Sequence, residues 1–276
     1  ASREMVNYLD AYGLMIAGAI TLALSSLPAG IAARSIPAGS RGDEQAAESP
    51  AQPSIFAGFQ LVLSRRYLML MAGFVIMLNL VNTTGEYLLS AILETMYAEG
   101  AAAGTIEVDK GTYVGRFYGG FYFVVNLLGV LIQFFLVSRL IRYAGFSIAF
   151  LLTPMVIFLG YASLALLPVI GWFRYFKMAE NSLDYSLQNT ARQMLYLPLS
   201  RQEKYEARAV IDPFGQRLGD LLQAGLIFAG LHLLGWASND FIPLAALMAA
   251  GTLVLAILIV RERSRLLAKT GQQEDP

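Results

Sequence analysis

The sequence contains no cysteine and a single histidine, His232. The missing cysteines exclude disulfides, thiolate metal sites and a cysteine nucleophile, and one histidine excludes a metal site built from several. The phosphate-binding pattern G-x-x-x-x-G-K-[ST] is also absent, so nothing supports ATP hydrolysis. The first residues lack the basic stretch and apolar core of a secretory signal peptide. These absences point away from redox proteins, zinc proteins and ATPases.

Charge is the other scarce property. Only 14% of the 276 residues are charged, whereas 56% are hydrophobic, and soluble domains average about 25% charged residues. The formal net charge is zero, which gives no bias toward nucleic acid or anionic surfaces. The composition predicts an all-α protein that crosses a membrane several times.

Apolar runs and loop charges predict seven membrane-spanning helices. The predicted spans are residues 11–33, 68–93, 112–140, 145–167, 169–197, 209–234 and 241–260. Every second connection is basic, beginning with Arg34, Arg41, Arg65 and Arg66, and basic residues stay on the cytoplasmic side. The alternation places the N-terminus of this chain outside and the C-terminus in the cytoplasm. Residues 35–54 are predicted to form a flexible cytoplasmic linker, and residues 268–276 a disordered tail.

One predicted span carries a stripe of polar residues at intervals of three or four. Such residues lie on one face of a helix. At ~1.5 Å per residue the stripe runs roughly 27 Å, close to the thickness of a bilayer's hydrocarbon core. A charge at that depth is costly unless paired or hydrated, so it indicates a functional site. The stripe consists of Arg174, Lys177, Glu180, Asn181, Asp184, Gln188 and Arg192.

Polar residues follow a pattern of three along the predicted spans. The second, third, fifth and sixth spans carry polar stripes, whereas the first, fourth and seventh are nearly uniformly apolar. Four helices are therefore expected to line a watery cavity, with every third helix facing lipid. Repeated three-helix units around a site at the membrane midplane are typical of secondary transporters.

This layout resembles helices 6–12 of a major facilitator superfamily transporter. The sequence KMAENSLDYSLQNTAR from Lys177 to Arg192, followed by Leu197-Pro198, Lys204-Tyr205, Ile211-Asp212 and RLGD from Arg217, resembles the ATP:ADP antiporter (nucleotide translocase) family. The resemblance implies four parts: residues 1–34, the last helix of the N-terminal half; 35–54, the linker; 55–267, a six-helix C-terminal bundle; and 268–276, the tail. It also implies five helices before Ala1 in the intact protein.

Cations in the stripes suit a phosphate-bearing substrate, because lysine and arginine bind phosphate oxygens. Carboxylates nearly balance these cations, which suits both an exchanger and a proton-coupled transporter. Tyr185 can stack on a base, or it can serve helix packing and the membrane interface. The ion pairs of Lys177 with Glu180 or Asp184, and of Arg217 with Asp220, can also be purely structural. Arg208 and Asp212 are predicted to form a gate or cap. The candidate substrate-binding residues are Lys177, Glu180, Asn181, Asp184, Tyr185, Arg192, Arg217, Asp220, Glu86 and Asn126.

The leading hypothesis is a secondary active transporter, here a fragment, that moves ATP, ADP or a related phosphorylated anion by alternating access. It is not an enzyme and needs no cofactor or metal. Its expected partners are the anionic substrate, the lipid bilayer of a bacterial inner membrane and a missing N-terminal half-bundle, without nucleic acid. Two alternatives stay open: a proton-coupled transporter of another small metabolite, and a non-transporting anchor or signalling module. The chain is not expected to transport alone.

Overall fold

The computed structural model describes residues 55–166 and 170–270, together with the isolated positions 13, 16 and 20. The chain divides into two compact units. One of them contains Val108–Phe123, and the other comprises Ser54–Glu107 and Val124–Pro276. All regular secondary structure within the described ranges is helical, as the composition predicts.

Eight α-helices are described, and three of them are continued by π-helical stretches. In chain order the α-helices are α1 Ile55–Ser64, α2 Arg66–Ala102, α3 Lys110–Leu131, α4 Ser138–Leu166, α5 Ile170–Leu183, α6 Asn189–Met194, α7 Arg201–Phe228 and α8 Phe241–Thr270. The π-helical stretches are π1 Ile132–Val137, π2 Asp184–Gln188 and π3 Ala229–Leu233. Such stretches are rare and occur frequently at functional sites.

Helix α2 is the central packing element of the larger unit. Its 37 residues span roughly 56 Å at about 1.5 Å per residue. Apolar side chains at helical spacing, among them Leu68, Met71, Val75 and Leu78, are buried. The helix packs most extensively against α7 and α8. The polar residues of α2 are thereby held in place by its buried apolar face.

Two glycines of α7 let this helix approach α2 closely. A Cβ atom on Gly215 would lie 2.9 Å from Val75 Cγ1, and one on Gly219 would lie 2.9 Å from Asn79 Cβ and 3.0 Å from Ile76 O. Small residues at such contacts allow helix backbones to come together in membrane proteins. The close approach brings Asn79 directly against α7.

The long helical run of residues 110–166 breaks at Gly145. Its φ of 80° and ψ of 165° are not helical, and glycine adopts positive φ without steric cost. The run otherwise continues from α3 through π1 into α4. Gly145 is the first residue of the predicted span 145–167, and the division into two spans here stays a prediction.

Three helical segments of the described residues are long and apolar enough to cross a membrane: Arg66–Ala102, Lys110–Leu166 and Ser238–Ala268. They contain the predicted second, third and seventh spans, and the fourth as far as Leu166. The predicted fifth and sixth spans are largely helical, but polar faces lower their hydropathy. The first predicted span, apart from positions 13, 16 and 20, and the linker lie outside the described residues. The count of seven therefore stays a prediction.

The predicted tail begins within a helix. Helix α8 continues to Thr270, three residues into the segment 268–276 that we expect to be disordered. Residues 271–276 lie outside the described residues. Helix α8 packs against α2 and α4. The last described helix of the chain is therefore part of the helix packing of the larger unit.

Candidate functional site

Lys177 of α5 is the centre of a buried polar cluster. Its side chain is 0% exposed. The ammonium donates to Asn82 Oδ1 at 2.7 Å and to the backbone oxygen of Asn82 at 3.2 Å. It lies 3.1 Å from Glu180 Oε2 and 3.5 Å from Glu86 Oε1. A fully buried ammonium requires such compensation, because desolvation of an unpaired charge is very costly.

The two carboxylates around Lys177 lie in different environments. Glu180 is 1% exposed, and Tyr161 Oη donates to its Oε2 at 3.5 Å. Glu180 Oε1 is buried and has no hydrogen-bond partner among the residues that the structure describes. Glu86 is 32% exposed, and its Oε1 accepts a hydrogen bond of 3.0 Å from Asn181 Nδ2. One carboxylate is thus sealed inside the helices, and the other reaches the surface of the unit.

Gly85 makes room for this cluster on the buried side of α2. A Cβ atom at this position would collide with the hydroxyl of Tyr161 and would lie 2.9 Å from Lys177 Nζ. Tyr161 is fully buried and packs edge-on against Phe176 at 5.1 Å between ring centroids. The glycine therefore allows the ammonium and the hydroxyl to meet the same stretch of α2.

Helix α5 changes register just after the cluster. Hydroxyl groups bond back to carbonyls four residues earlier: Ser182 to Met178 O at 2.6 Å, Ser186 to Ser182 O at 2.6 Å and Thr190 to Ser186 O at 3.0 Å. Such bonds often bend helices. These hydroxyl bonds lie on both sides of π2 and across it. The wider turn of π2 rotates the residues that follow it onto a different face of the helix.

The rest of the predicted stripe continues along π2 and α6. Asp184 and Arg192 are half-buried, Tyr185 is exposed and Gln188 is buried. Arg192 Nε and both amide atoms of Gln188 are buried without a hydrogen-bond partner. Buried polar atoms of this kind normally find protein or water partners, so this end of the stripe offers donors that are not satisfied within the described residues.

Arg217 and Asp220 of α7 form a second, more exposed cluster with Asn79 of α2. Asn79 Nδ2 donates to Asp220 Oδ1 at 2.7 Å and to the backbone oxygen of Gln216 at 2.8 Å. Arg217 Nη1 lies 3.6 Å from Asp220 Oδ2, and its side chain is 86% exposed. An ion pair this exposed contributes little to stability, so the guanidinium can change partners readily.

Arg208 and Asp212 form an ion pair nearer the start of α7. Arg208 Nε lies 3.4 Å from Asp212 Oδ2, and Tyr196 Oη donates to Asp212 Oδ1 at 3.2 Å. Close by along the helix, Arg65 pairs with Glu203 at 2.8 Å. These contacts join α7 to the segments before α2 and after α6. The gate role of Arg208 and Asp212 stays a prediction.

Asn126 of α3 is exposed. The neighbouring Val125 is buried, and its backbone oxygen accepts a hydrogen bond of 3.2 Å from Ser182. Glu86, Lys177, Glu180 and Asn181 share one cluster, whereas Arg217 and Asp220 share another. The predicted site therefore has two centres within the larger unit.

Three contributors to the first cluster are missing from the predicted site: Asn82, Gly85 and Tyr161. Asn82 belongs to a polar stripe in the sequence, but its pairing with Lys177 spans 95 positions. Tyr161 lies in an otherwise apolar span, and its only sequence signal is a hydroxyl that needs a partner when buried. Gly85 gives no signal before the neighbouring side chains are placed.

The site offers side chains that can bind a charged ligand. Within the described residues no group of three or more histidine, cysteine, aspartate or glutamate side chains is placed to hold a metal ion. A separate cavity of about 450 Å³ is lined only by apolar residues, including Leu80, Leu226 and Trp236, and contains none of the predicted site residues. The ammonium, carboxylates and carboxamides can exchange hydrogen-bond partners with a charged ligand.

Similarity to known proteins is weak but consistent. The chain is 28% identical over 138 residues to "ADP,ATP carrier protein 1" of Chlamydia pneumoniae, covering 41% of this chain and 26% of that protein. It is 25% identical over 213 residues to proteins of the same name from Chlamydia trachomatis serovar D and Chlamydia muridarum, covering 66% of this chain and 37% of each. The matches thus span about a third of these relatives.

No protein-family model and no solved structure matches the chain. The support comes instead from the three carrier proteins, whose matches reach at most two thirds of this chain. Apolar helices long enough to cross a membrane agree with such relatives. At 25–28% identity, these matches are a weak homology to proteins named ADP,ATP carrier.

Proposed function

We propose that the chain is the C-terminal part of a secondary active transporter that exchanges ATP, ADP or a related phosphorylated anion by alternating access. The observation that carries this proposal is Lys177, an ammonium buried among exchangeable carboxylate and carboxamide partners in a very apolar chain. Intramembrane charges mark substrate pathways. The names of the chlamydial relatives favour a nucleotide substrate and a non-enzymatic role.

The proposed architecture is a facilitator-like bundle whose second half is formed by this chain. The four polar stripes would line the cavity together with a preceding half-bundle in the full-length protein, and the membrane would be a bacterial inner membrane. The centre of the proposed site consists of Glu86, Lys177, Glu180 and Asn181. The second, more exposed cluster is formed by Arg217 and Asp220, whose ion pair can change partners. The other proposed contacts with substrate come from Asn126, Asp184, Tyr185 and Arg192. Arg208 and Asp212 act as a gate toward the cytoplasm.

Counterflow in proteoliposomes tests the function. Vesicles that contain the full-length protein and internal ADP should take up labelled ATP against its concentration gradient. Lys177→Gln should lower the rate at least about tenfold, because loss of a charge from a buried pair costs about 2–5 kcal/mol at an interface with ligand. Lys110→Gln, the same change at an exposed position, is the matched control and should transport normally.

A proton-coupled transporter of another small metabolite is the second candidate. The observation that favours it is Glu180, whose buried Oε1 has no partner in the described residues. Buried carboxylates are common stations for transported protons. Uptake that requires a pH gradient and ignores external nucleotides would favour this candidate. Absence of ATP counterflow, while a known ADP,ATP carrier is active in parallel vesicles, would reject nucleotide exchange.

A further inference from the structure

The two carboxylates beside Lys177 do not share its ammonium equally. An ammonium has three N–H donors. The three nearest acceptors are Asn82 Oδ1 at 2.7 Å, Glu180 Oε2 at 3.1 Å and the backbone oxygen of Asn82 at 3.2 Å. Glu86 Oε1 is the fourth, at 3.5 Å. Glu86 is therefore attracted by the charge of Lys177 but is not required to satisfy its donors.

Glu86 is also the carboxylate that moves most easily. Its side chain is 32% exposed, against 1% for Glu180. Its short contact is the 3.0 Å hydrogen bond from Asn181 Nδ2, a neutral donor. Departure of Glu86 toward solvent leaves the ammonium of Lys177 hydrogen-bonded to Asn82 and ion-paired with Glu180. Departure of Glu180 would strand a buried charge, which is far more costly.

The formal charges of the cluster oppose the binding of an anion. Lys177 contributes one positive charge, and Glu86 and Glu180 contribute two negative charges, so the three groups sum to one net negative charge. Two unit charges 4 Å apart interact by about 4 kcal/mol at the effective dielectric constant typical near protein surfaces. A phosphate group can reach the ammonium only after one carboxylate has left or lost its charge, and Glu86 is the more exposed of the two.

We infer that Glu86 is the carboxylate that an anionic substrate displaces from Lys177, while Glu180 stays bonded to the ammonium throughout. The inference rests on the proposed function, because it assumes that an anion reaches Lys177. When the anion leaves, Glu86 returns and restores the pair. Glu86 thus acts as an internal competitor that closes the empty site and assists release, whereas Glu180 and Asn82 are positioning residues for Lys177.

The role of Glu86 makes a prediction that simple electrostatics does not. Neutralising either carboxylate by substitution with glutamine raises the local potential by a similar amount, so long-range attraction alone would tighten anion binding in both variants. Displacement predicts a difference. Glu86→Gln removes the competitor and should tighten binding of ATP roughly tenfold, a change of about 1.4 kcal/mol. Glu180→Gln leaves the competitor in place, frees it to approach Lys177 and should not tighten binding.

The experiment is a calorimetric titration of the full-length protein in detergent with ATP, ADP and inorganic pyrophosphate. Wild type, Glu86→Gln and Glu180→Gln are compared at low and high ionic strength. Glu86→Asp, which keeps the charge on a shorter side chain, provides a second variant with a smaller expected gain in affinity. Tighter binding in Glu86→Gln, with slower ATP counterflow because release loses its assistance, supports the inference.

Two results overturn it. Weaker or unchanged binding in Glu86→Gln shows that Glu86 is a ligand of the substrate or is irrelevant to it. Equal tightening in Glu86→Gln and Glu180→Gln shows that only net charge matters. In both cases binding to the wild type leaves the proposed function intact. If wild type and Glu86→Gln bind none of the three anions, the proposed function fails first and the inference fails with it.

Discussion

Replacing Lys177 with methionine should lower the free energy of unfolding by about 3–5 kcal/mol, the usual effect of removing one partner of a buried ion pair. Lys177 is 0% exposed and compensates Glu180, which is itself almost completely buried. Methionine keeps much of the volume but leaves the carboxylate without its cation. Denaturant unfolding of the purified protein in detergent measures the loss.

A double variant separates charge from packing in this prediction. Lys177→Met combined with Glu180→Gln removes both charges, and replacement of a whole buried pair is often neutral. It should therefore recover most of the stability that the single variant loses. A single variant within about 0.5 kcal/mol of wild type, the range of ordinary surface substitutions, would contradict the account. So would a double variant that is as unstable as the single one.

Gly85→Ala should disrupt both stability and substrate binding. The new methyl group would collide with the hydroxyl of Tyr161 and crowd Lys177 Nζ. Overpacking of this kind costs about 1–3 kcal/mol. Relief requires that the ammonium or the tyrosine moves, so the contacts with Asn82 and Glu180 are disturbed as well. We expect a lower unfolding midpoint and slower ATP counterflow.

The matched control is Gly73→Ala on the same helix. A Cβ atom at Gly73 would meet Leu255 Cδ1 at 3.9 Å, an ordinary contact. Because alanine is a better helix former than glycine by about 0.8–1 kcal/mol, this variant should be as stable as wild type or slightly more stable. If Gly85→Ala and Gly73→Ala behave alike in unfolding and counterflow, the proposed packing around Lys177 is incorrect.

The sequence predicts the helices and the polar stripe because both follow from periodicity. Lys177 and Glu180 are three residues apart, and the expected i,i+3 pair is present at 3.1 Å. Arg217 and Asp220 likewise pair at 3.6 Å. Spacing cannot reveal π2, since intervals of three to five residues fit an α-helix and a π-helical stretch almost equally over so few positions.

Long-range pairings are the part of the site that periodicity leaves undetermined. Nothing in a single sequence selects Asn82 rather than Glu86 as the closest partner of Lys177, because the choice depends on the rotation of α2 against α5. Gly85 permits the observed packing by giving Tyr161 and Lys177 room. The predicted membrane orientation, by contrast, rests on loop charges alone and stays a prediction.

The central claim is that the ammonium of Lys177 binds the substrate. Restoring an ammonium at position 177 after its removal tests this claim most directly. The chain has no native cysteine, so Lys177→Cys introduces its sole thiol, with any cysteine elsewhere in the full-length protein replaced by serine. The account predicts that ATP counterflow is lost in this variant, returns after modification with aminoethyl methanethiosulfonate and stays lost after the neutral methyl reagent. Undiminished counterflow in Lys177→Cys, or equal recovery with both reagents, would contradict a substrate-binding role for the ammonium of Lys177.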